Sequence, residues 1–281
     1  MIIVDYSQTI ISNLMAELNG RKDVDIEINL LRHMVINTIR SYHVNFKDEY
    51  GELVIACDNK KYWRKEIFPY YKANRKKARE DSGYNWNAIF DAINTVKAEL
   101  KEFFPYRVIE VEKAEADDII ATLCKHTIEP VMIVSGDHDF VQLQKYPNVK
   151  QWSPITKKYI KCETTPDQFL FEHIIKGDKG DGVPNVLTND DAIINNQRQK
   201  PIQSKKIEMW YDDPSTLPGD VIFVKNFDRN KRLIDLSMIP ENLQQSILNT
   251  FHIHQLKDRS LILDYFMKHK MKNLMESLED F

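Results

Sequence analysis

The sequence predicts an α/β protein: a central, mostly parallel sheet flanked by helices, followed by a smaller, mainly helical domain. Three observations lead there. Short β-branched runs alternate with longer amphipathic ones through the first half. Those short runs are almost continuously apolar, as strands covered on both faces must be. Past about residue 164 the strand-like runs give way to helical spacing. With 281 residues, 42% of them hydrophobic and 10% aromatic, the chain can build a sizeable core and falls between one large domain and two ordinary ones.

Residues 1–4 are apolar and close on Asp5. Over 27–42, Ile28, Leu31, Val35 and Ile39 recur at the three-to-four spacing of a helix. Residues 53–57 form a second strand, ending at Asp58. The stretch 86–104 returns to helical spacing through Ile89, Ile93, Val96, Leu100 and Phe103. A strand over 106–111, a helix over 115–126 and a strand over 130–134, stopping at Ser135-Gly136-Asp137, complete the alternation. Thr165-Pro166 opens a helix to 175, which Gly177 ends. Residues 177–219 read as polar and turn-rich; 240–250 and 258–279 read as helices. The boundary near 164 divides the chain into 1–164 and 165–281.

Several classes are excluded. No apolar run approaches the ~20 residues of a membrane-spanning helix, and the start, MIIVDYSQTI, lacks the pattern of a signal peptide. Cys57, Cys124 and Cys162 form no CxxC pair and read as reduced thiols in a cytoplasmic compartment. His252 and His254 lack the partners of a zinc site. Lys and Arg total 39 against 42 acids, a net charge of −3 that argues against a uniformly basic nucleic-acid coat but leaves open a segregated distribution.

The acids are indeed segregated. Asp5 and Asp58 each follow a strand, and Asp137 and Asp139 follow another. Glu115, Asp117 and Asp118 gather at a helix start; Asp178 and Asp181 follow a helix in Gly-Asp-Lys-Gly-Asp-Gly. In an open parallel sheet the carboxyl ends of the strands line one ligand-binding edge. Carboxylates sharing such an edge raise one another's pKa unless a cation intervenes. All-oxygen ligation suits Mg2+, with Mn2+ as a substitute, and two such ions can clamp the attacking and leaving oxygens of a phosphodiester. Each acid alone is also an ordinary turn residue or a complement to a helix dipole. The Gly-Asp-Lys-Gly-Asp-Gly stretch fails the EF-hand pattern. Their joint placement points to a metal-dependent phosphodiesterase.

Between Asp58 and Glu80 the chain turns basic. Lys60, Lys61, Arg64, Lys65, Lys72, Arg75, Lys76, Lys77 and Arg79 are interleaved with Tyr62, Trp63, Phe68, Tyr70 and Tyr71. Cations that track phosphates and aromatic faces on which bases stack suit single-stranded nucleic acid; the plainer alternative is a solvated charged face.

Five ordered stretches carry a resemblance: Val4-Asp5-Tyr6-Ser7-Gln8, Ala56-Cys57-Asp58-Asn59, Glu115-Ala116-Asp117-Asp118, Ser135-Gly136-Asp137-His138-Asp139-Phe140 and Gly177-Asp178-Lys179-Gly180-Asp181. They resemble the flap endonuclease, or 5′-nuclease, superfamily. YWRKEIFPYYKANRKKARE and QKYPNVKQWSPITKKYIK are especially similar to the RNase H group of T-even-type bacteriophages. The resemblance implies a Mg2+-dependent 5′-to-3′ exonuclease and flap endonuclease that removes RNA primers and adjacent DNA from lagging-strand fragments. It implies a first metal among Asp58, Glu115, Asp117, Asp137 and Asp139, with Asp5 close by. A second would lie at Asp178 and Asp181, with Asp118 hydrogen-bonding or ligating through water. The basic segment, about 59–82, would be the arch admitting a 5′ single strand. Within it Lys72 and Arg64 would approach the scissile phosphate, Arg75 and Arg79 the strand beyond, and Lys60, Lys61, Lys65, Lys76 and Lys77 the nucleic acid generally. Branched or nicked DNA, RNA–DNA duplex, a single-strand DNA-binding protein and a sliding clamp are the partners implied, acting on a monomer in a host cytoplasm. After Asp181 the glycines of the family's cation-binding hairpin are missing, so duplex contact is expected instead from Arg198, Lys200, Lys205 and Lys206. A PIN-type endoribonuclease and a non-catalytic junction-binding protein are the rival readings.

Overall fold

The computed structural model describes residues 1–22, 26–254 and 256–281. The four apolar runs become the parallel strands β1 (Ile2–Asp5), β2 (Leu53–Ala56), β3 (Arg107–Ile109) and β4 (Val131–Val134). Two more follow: β5 (Val149–Ser153), parallel to β4, and β6 (Lys158–Ile160), antiparallel to β5 at the edge. The spatial order is β3-β2-β1-β4-β5-β6. In the first half the helices are α1 (Tyr6–Leu18), α2 (Ile28–Tyr50), α3 (Arg64–Ile67), α4 (Asn74–Ser82), α5 (Trp86–Phe103) and α6 (Ala116–Lys125). The second half adds α7 (Pro166–Lys176), α8 (Ser204–Asp212), α9 (Val221–Ile234), α10 (Glu241–Ile253), α11 (Ser260–Lys268) and α12 (Lys272–Met275).

Every residue of β1, β2 and β4 is buried, because both sheet faces are covered. Alternation along β1 sends Ile2 and Val4 to one face, against α1, α2, α5 and α11, and Ile3 to the other, against α6 and α10. Burying one such isoleucine is worth about 1.5–3 kcal/mol. The C-terminal helices thus return to the sheet: Ile262, Phe266 and Phe281 share a core with Val35 and Leu100. Helices α7, α8 and α9 instead pack around two smaller apolar clusters centred on Ile174 and Trp210.

Some elements differ from expectation. Helix α1 springs directly from β1, with Asp5 as its N-cap; its buried stripe of Tyr6, Ile10, Leu14 and Leu18 is flanked by half-buried Ile11 and Met15. Helix α2 runs on to Tyr50 because Phe46 and Tyr50 continue the buried stripe. Strand β5 buries only alternate residues and β6 buries none, so both lack the continuous apolar run that marks the central strands. Helix α8 lies inside the stretch read as turns and buries only Ile207 and Trp210. The single helix expected over 258–279 breaks at Lys270, whose φ is 57°. Among the described residues no helix is long and apolar enough to cross a membrane.

The order reverses between β1 and β4, so these neighbours send their following chains away to opposite sides. In such a sheet the diverging chains open a ligand crevice at that point, outside the carboxyl ends of the strands. That is where β1 delivers Asp5 and β4 delivers Asp137.

Candidate active site

Four of the acids, Asp5, Asp58, Asp137 and Asp178, are positioned by hydrogen bonds from backbone N–H groups. Asp5 Oδ1 accepts from Gln8 N at 3.1 Å, capping α1, while Oδ2 accepts from Ser135 Oγ at 3.3 Å. Gln8 Oε1 in turn accepts from Ser135 Oγ and Gly136 N, at 3.2 and 3.0 Å, tying β1 to the turn after β4. Asp58 Oδ1 accepts from Ala116 N at 3.0 Å, at the positive end of α6. Asp137 Oδ1 accepts from Asp139 N at 3.0 Å, the first turn of a 3₁₀ helix over His138–Lys145. Asp178 Oδ1 accepts from Asp181 N at 3.1 Å, and Val183 N returns to Asp178 O at 2.7 Å. That loop closes through Gly177, whose φ is +69° and whose absent Cβ would stand 2.5 Å from Val183 O. Only glycine suits both conditions.

Seven carboxylates line one cavity of about 440 Å³: Asp5, Asp58, Asp117, Asp137, Asp139, Asp178 and Asp181. Lys72 and Arg75 are the cations in its wall. Burial, reinforced by Asp58 and Asp137, pushes the Asp5 carboxyl up to about 7. Burial and neighbouring acids likewise raise Asp139 well above the carboxylate range. Asp117 is raised well above it too, chiefly by burial, although Lys72 opposes the shift. Asp178 is raised by burial and Asp181. Asp181 is the exception: burial would raise it, but Lys72 and Arg75 outweigh that and hold it low. The four raised carboxyls have too little counter-charge, the electrostatic state that a bound divalent cation relieves. The donor set is rich in hard oxygens and suits one.

Glu115 and Asp118 differ from expectation. Both are fully buried behind the cavity rather than in it. Glu115 accepts from Arg64 Nη1 at 2.7 Å and Tyr71 Oη at 3.1 Å, and pairs with the Lys72 ammonium. Asp118 Oδ2 accepts from Trp63 Nε1 at 3.1 Å and Glu115 N at 2.9 Å, forming a reciprocal cap at the start of α6. Its Oδ1 lies 2.8 Å from Arg64 Nη2. The helical offset explains the split: successive residues diverge by 100°, so Asp117 faces the cavity while Asp118 turns into the protein.

Arg64, expected at the scissile phosphate, likewise stands behind the cavity rather than in its wall. Its side chain is 2% exposed, and its guanidinium is consumed by Glu115, Asp118 and the carbonyl of Leu233, the last at 2.8 Å from Nε. It is a buried counter-ion that holds the acidic edge in place. Lys72 does reach the cavity, 3.4 Å from Asp181 Oδ2. It does so from a left-handed backbone, φ 56°, with its N–H bonded to Asp181 O at 2.7 Å; that conformation costs a non-glycine residue roughly 1–2 kcal/mol.

Of the basic segment, Lys60, Lys61, Lys65, Arg75, Lys76 and Lys77 are exposed, and α4 buries nothing. Arg79 is half-buried over the rings of Trp86 and Phe90. The aromatics are not the free stacking platform expected. Trp63, Phe68 and Tyr71 are buried, the last two in the cluster with Ile174 and Leu233. They anchor the segment and leave Lys60, Lys61, Lys65, Lys76 and Lys77 outward, with Tyr70 the aromatic that stays exposed.

His173 escaped the sequence reading. It lies on α7 one turn before Gly177, and nothing in its spacing to the acids marks it. In the structure its Nδ1 stands 3.4 Å from Asp139 Oδ1, and donor atoms of Asp139, His173 and Asp178 lie within 4.8 Å of one another.

A carboxylate-lined cleft at the switch point of a doubly wound sheet defines a phosphodiester-cleaving class of enzyme. Residues 1–171 match the family described as 5′-3′ exonuclease, N-terminal resolvase-like domain, and residues 165–281 match T4 RNase H, C terminal. The chain belongs to this 5′-3′ exonuclease family and is a nuclease. It is 33% identical to the ribonuclease H of Enterobacteria phage T4, over 99% of this chain and 95% of that one. A flap endonuclease Xni of Shewanella piezotolerans is 27% identical over 62% of this chain and 68% of that protein. The fold resembles the D15 protein of bacteriophage T5 co-crystallized with metal ions, with a TM-score of 0.66 and 18% identity, over 90% of this chain and 99% of that one. It also resembles the T5 D15 flap endonuclease in a pseudo-enzyme-product complex with DNA and metal ions, with a TM-score of 0.64, 19% identity and coverage of 89% and 98%.

Proposed function

We propose that the protein is a divalent-metal-dependent, structure-specific 5′ nuclease that removes RNA primers and adjacent DNA from branched or nicked duplexes. The observation that carries this reading is the single cavity lined by seven carboxylates with Lys72 in its wall. Asp5, Asp58, Asp117, Asp137 and Asp139 would hold one cation; Asp178 and Asp181 would hold a second, with Asp139, close to both Asp137 and Asp178, shared between the two. Mg2+ is the physiological choice for such an oxygen-rich set. Bound there, the cations would supply Lewis acidity that activates water and offsets charge on the scissile phosphate.

The chain's own residues do the rest. Lys72 and Arg75 present positive charge to an entering phosphate and now neutralise Asp181. Arg64, by pairing with Glu115 and Asp118, keeps the start of α6 aimed so that Asp117 faces inward. The outward lysines 60, 61, 65, 76 and 77 track the phosphates of the 5′ strand, where each contact contributes to salt-dependent affinity. The unit of α7, α8 and α9, beginning near residue 165, is read as the duplex grip.

The test is cleavage of a 5′-labelled flap beside a matched RNA-primed duplex, with magnesium and with chelator. Product length separates exonucleolytic from flap cutting. The double variant Asp137→Asn/Asp139→Asn is expected to bind the flap and leave it uncut; undiminished cleavage would exclude the cation assignment.

A further inference from the structure

We infer that His173 supplies an imidazole donor beside Asp139 and Asp178, making the cation site next to the 177–183 loop a mixed nitrogen–oxygen site that favours Mn2+, Co2+ or Zn2+ over Mg2+. The inference rests on the reading of the acidic cavity as a cation site and specifies what one part of it prefers.

Three observations carry it. The Nδ1 atom is buried yet has no hydrogen-bond partner among the described residues. It stands 3.4 Å from Asp139 Oδ1 without the alignment of a hydrogen bond. A ring nitrogen buried among carboxylates ordinarily donates to one. Two donors bound about 2.0–2.1 Å from a shared tetrahedral ion stand about 3.3–3.4 Å apart, the separation seen here. Finally, one donor atom each from Asp139, His173 and Asp178 falls within a span of 4.8 Å, small enough for a single ion.

The side chain is held for this purpose. Helix α7 carries it in its last turns, Gly177 N closes that helix on His173 O at 2.8 Å, and the ring packs edge-on against Phe169 at 5.9 Å. The loop that follows at once delivers Asp178. Imidazole nitrogen suits zinc and the later first-row metals, whereas magnesium prefers oxygen and dehydrates reluctantly. An all-carboxylate site would lack this discrimination.

The experiment uses the full chain with Mn2+ as the probe. Pulsed electron paramagnetic resonance of the Mn2+ complex is expected to show modulation from a directly bound nitrogen, and His173→Gln is expected to remove it. Calorimetric titration should show His173→Gln weakening Zn2+ or Co2+ by about tenfold or more while Mg2+ changes by less than about twofold. Mn2+ that binds the wild-type chain without nitrogen modulation overturns the His173 assignment alone. The same holds if His173→Gln weakens every metal equally. Failure of any divalent cation to bind overturns both this assignment and the cation-site reading beneath it.

Discussion

Replacing Asp5 with asparagine should stabilise the metal-free protein at neutral and alkaline pH. Asp5 sits at the end of β1 facing Asp58 and Asp137, and burial with these neighbours lifts its carboxyl from 3.8 to about 7. A carboxyl whose proton is held more tightly in the folded chain favours folding below its unfolded value and loses that contribution as pH rises through the folded one. The window is therefore 3.8 to about 7. At ~1.4 kcal/mol per tenfold change in proton affinity, the penalty on ionised Asp5 reaches about 4 kcal/mol above that window. Asparagine carries no charge yet caps a helix as well as aspartate does, so the bond from Gln8 N survives. Denaturant unfolding in chelator across pH is the assay. D5N should match the parent near pH ~4, gain on it steadily, and lead by up to about 4 kcal/mol near pH ~8. Magnesium should erase most of that lead, because the cation supplies the missing charge and D5N surrenders a ligand. An advantage that stays flat with pH, or a loss at every pH, would refute the electrostatic reasoning.

Three further outcomes are expected. Arg64→Met leaves Asp118 as a buried charge without its cation and Glu115 with Lys72 alone, and should cost about 3–5 kcal/mol of folding stability; selective loss of turnover at unchanged stability would instead return Arg64 to the phosphate. Gly177→Ala forces a Cβ to 2.5 Å from Val183 O at a φ of +69°, and should lower stability by about 2 kcal/mol or more and weaken cation binding at Asp178; an unshifted melting curve would contradict this. Lys76→Gln/Lys77→Gln on exposed α4 should reduce the slope of log affinity against log salt for flap DNA by up to about 2, as followed by anisotropy, and an unaltered slope would remove α4 from the phosphate track.

The −3 net charge illustrates how far the primary structure reaches. The separation of an acidic set from a basic segment, and the placement of Asp5, Asp58 and Asp137 after strands, are legible because strand ends and apolar runs are local signals. So is the α/β class, since strands buried on both faces carry an unbroken apolar pattern. Strands β5 and β6 escape that logic because neither is buried throughout: β5 buries only alternate residues and the edge strand β6 none. Helix α8 escapes it because two buried residues, Ile207 and Trp210, make too short a stripe.

What the chain determined alone was therefore which residues have the chemistry and on which elements they stand. Which way each side chain turns was decided by packing. Asp117 and Asp118 are adjacent and chemically identical, yet one lines the cavity and the other caps a helix against Trp63 and Arg64. Arg64 and Lys72 share one basic segment, yet the first is a buried counter-ion and the second a cavity wall. His173, more than thirty residues from Asp139, joins it only because α7 packs beside the turn after β4. Burial decides such cases: a charge taken out of water must find its partner in three dimensions, and only the completed fold says which partners are within reach.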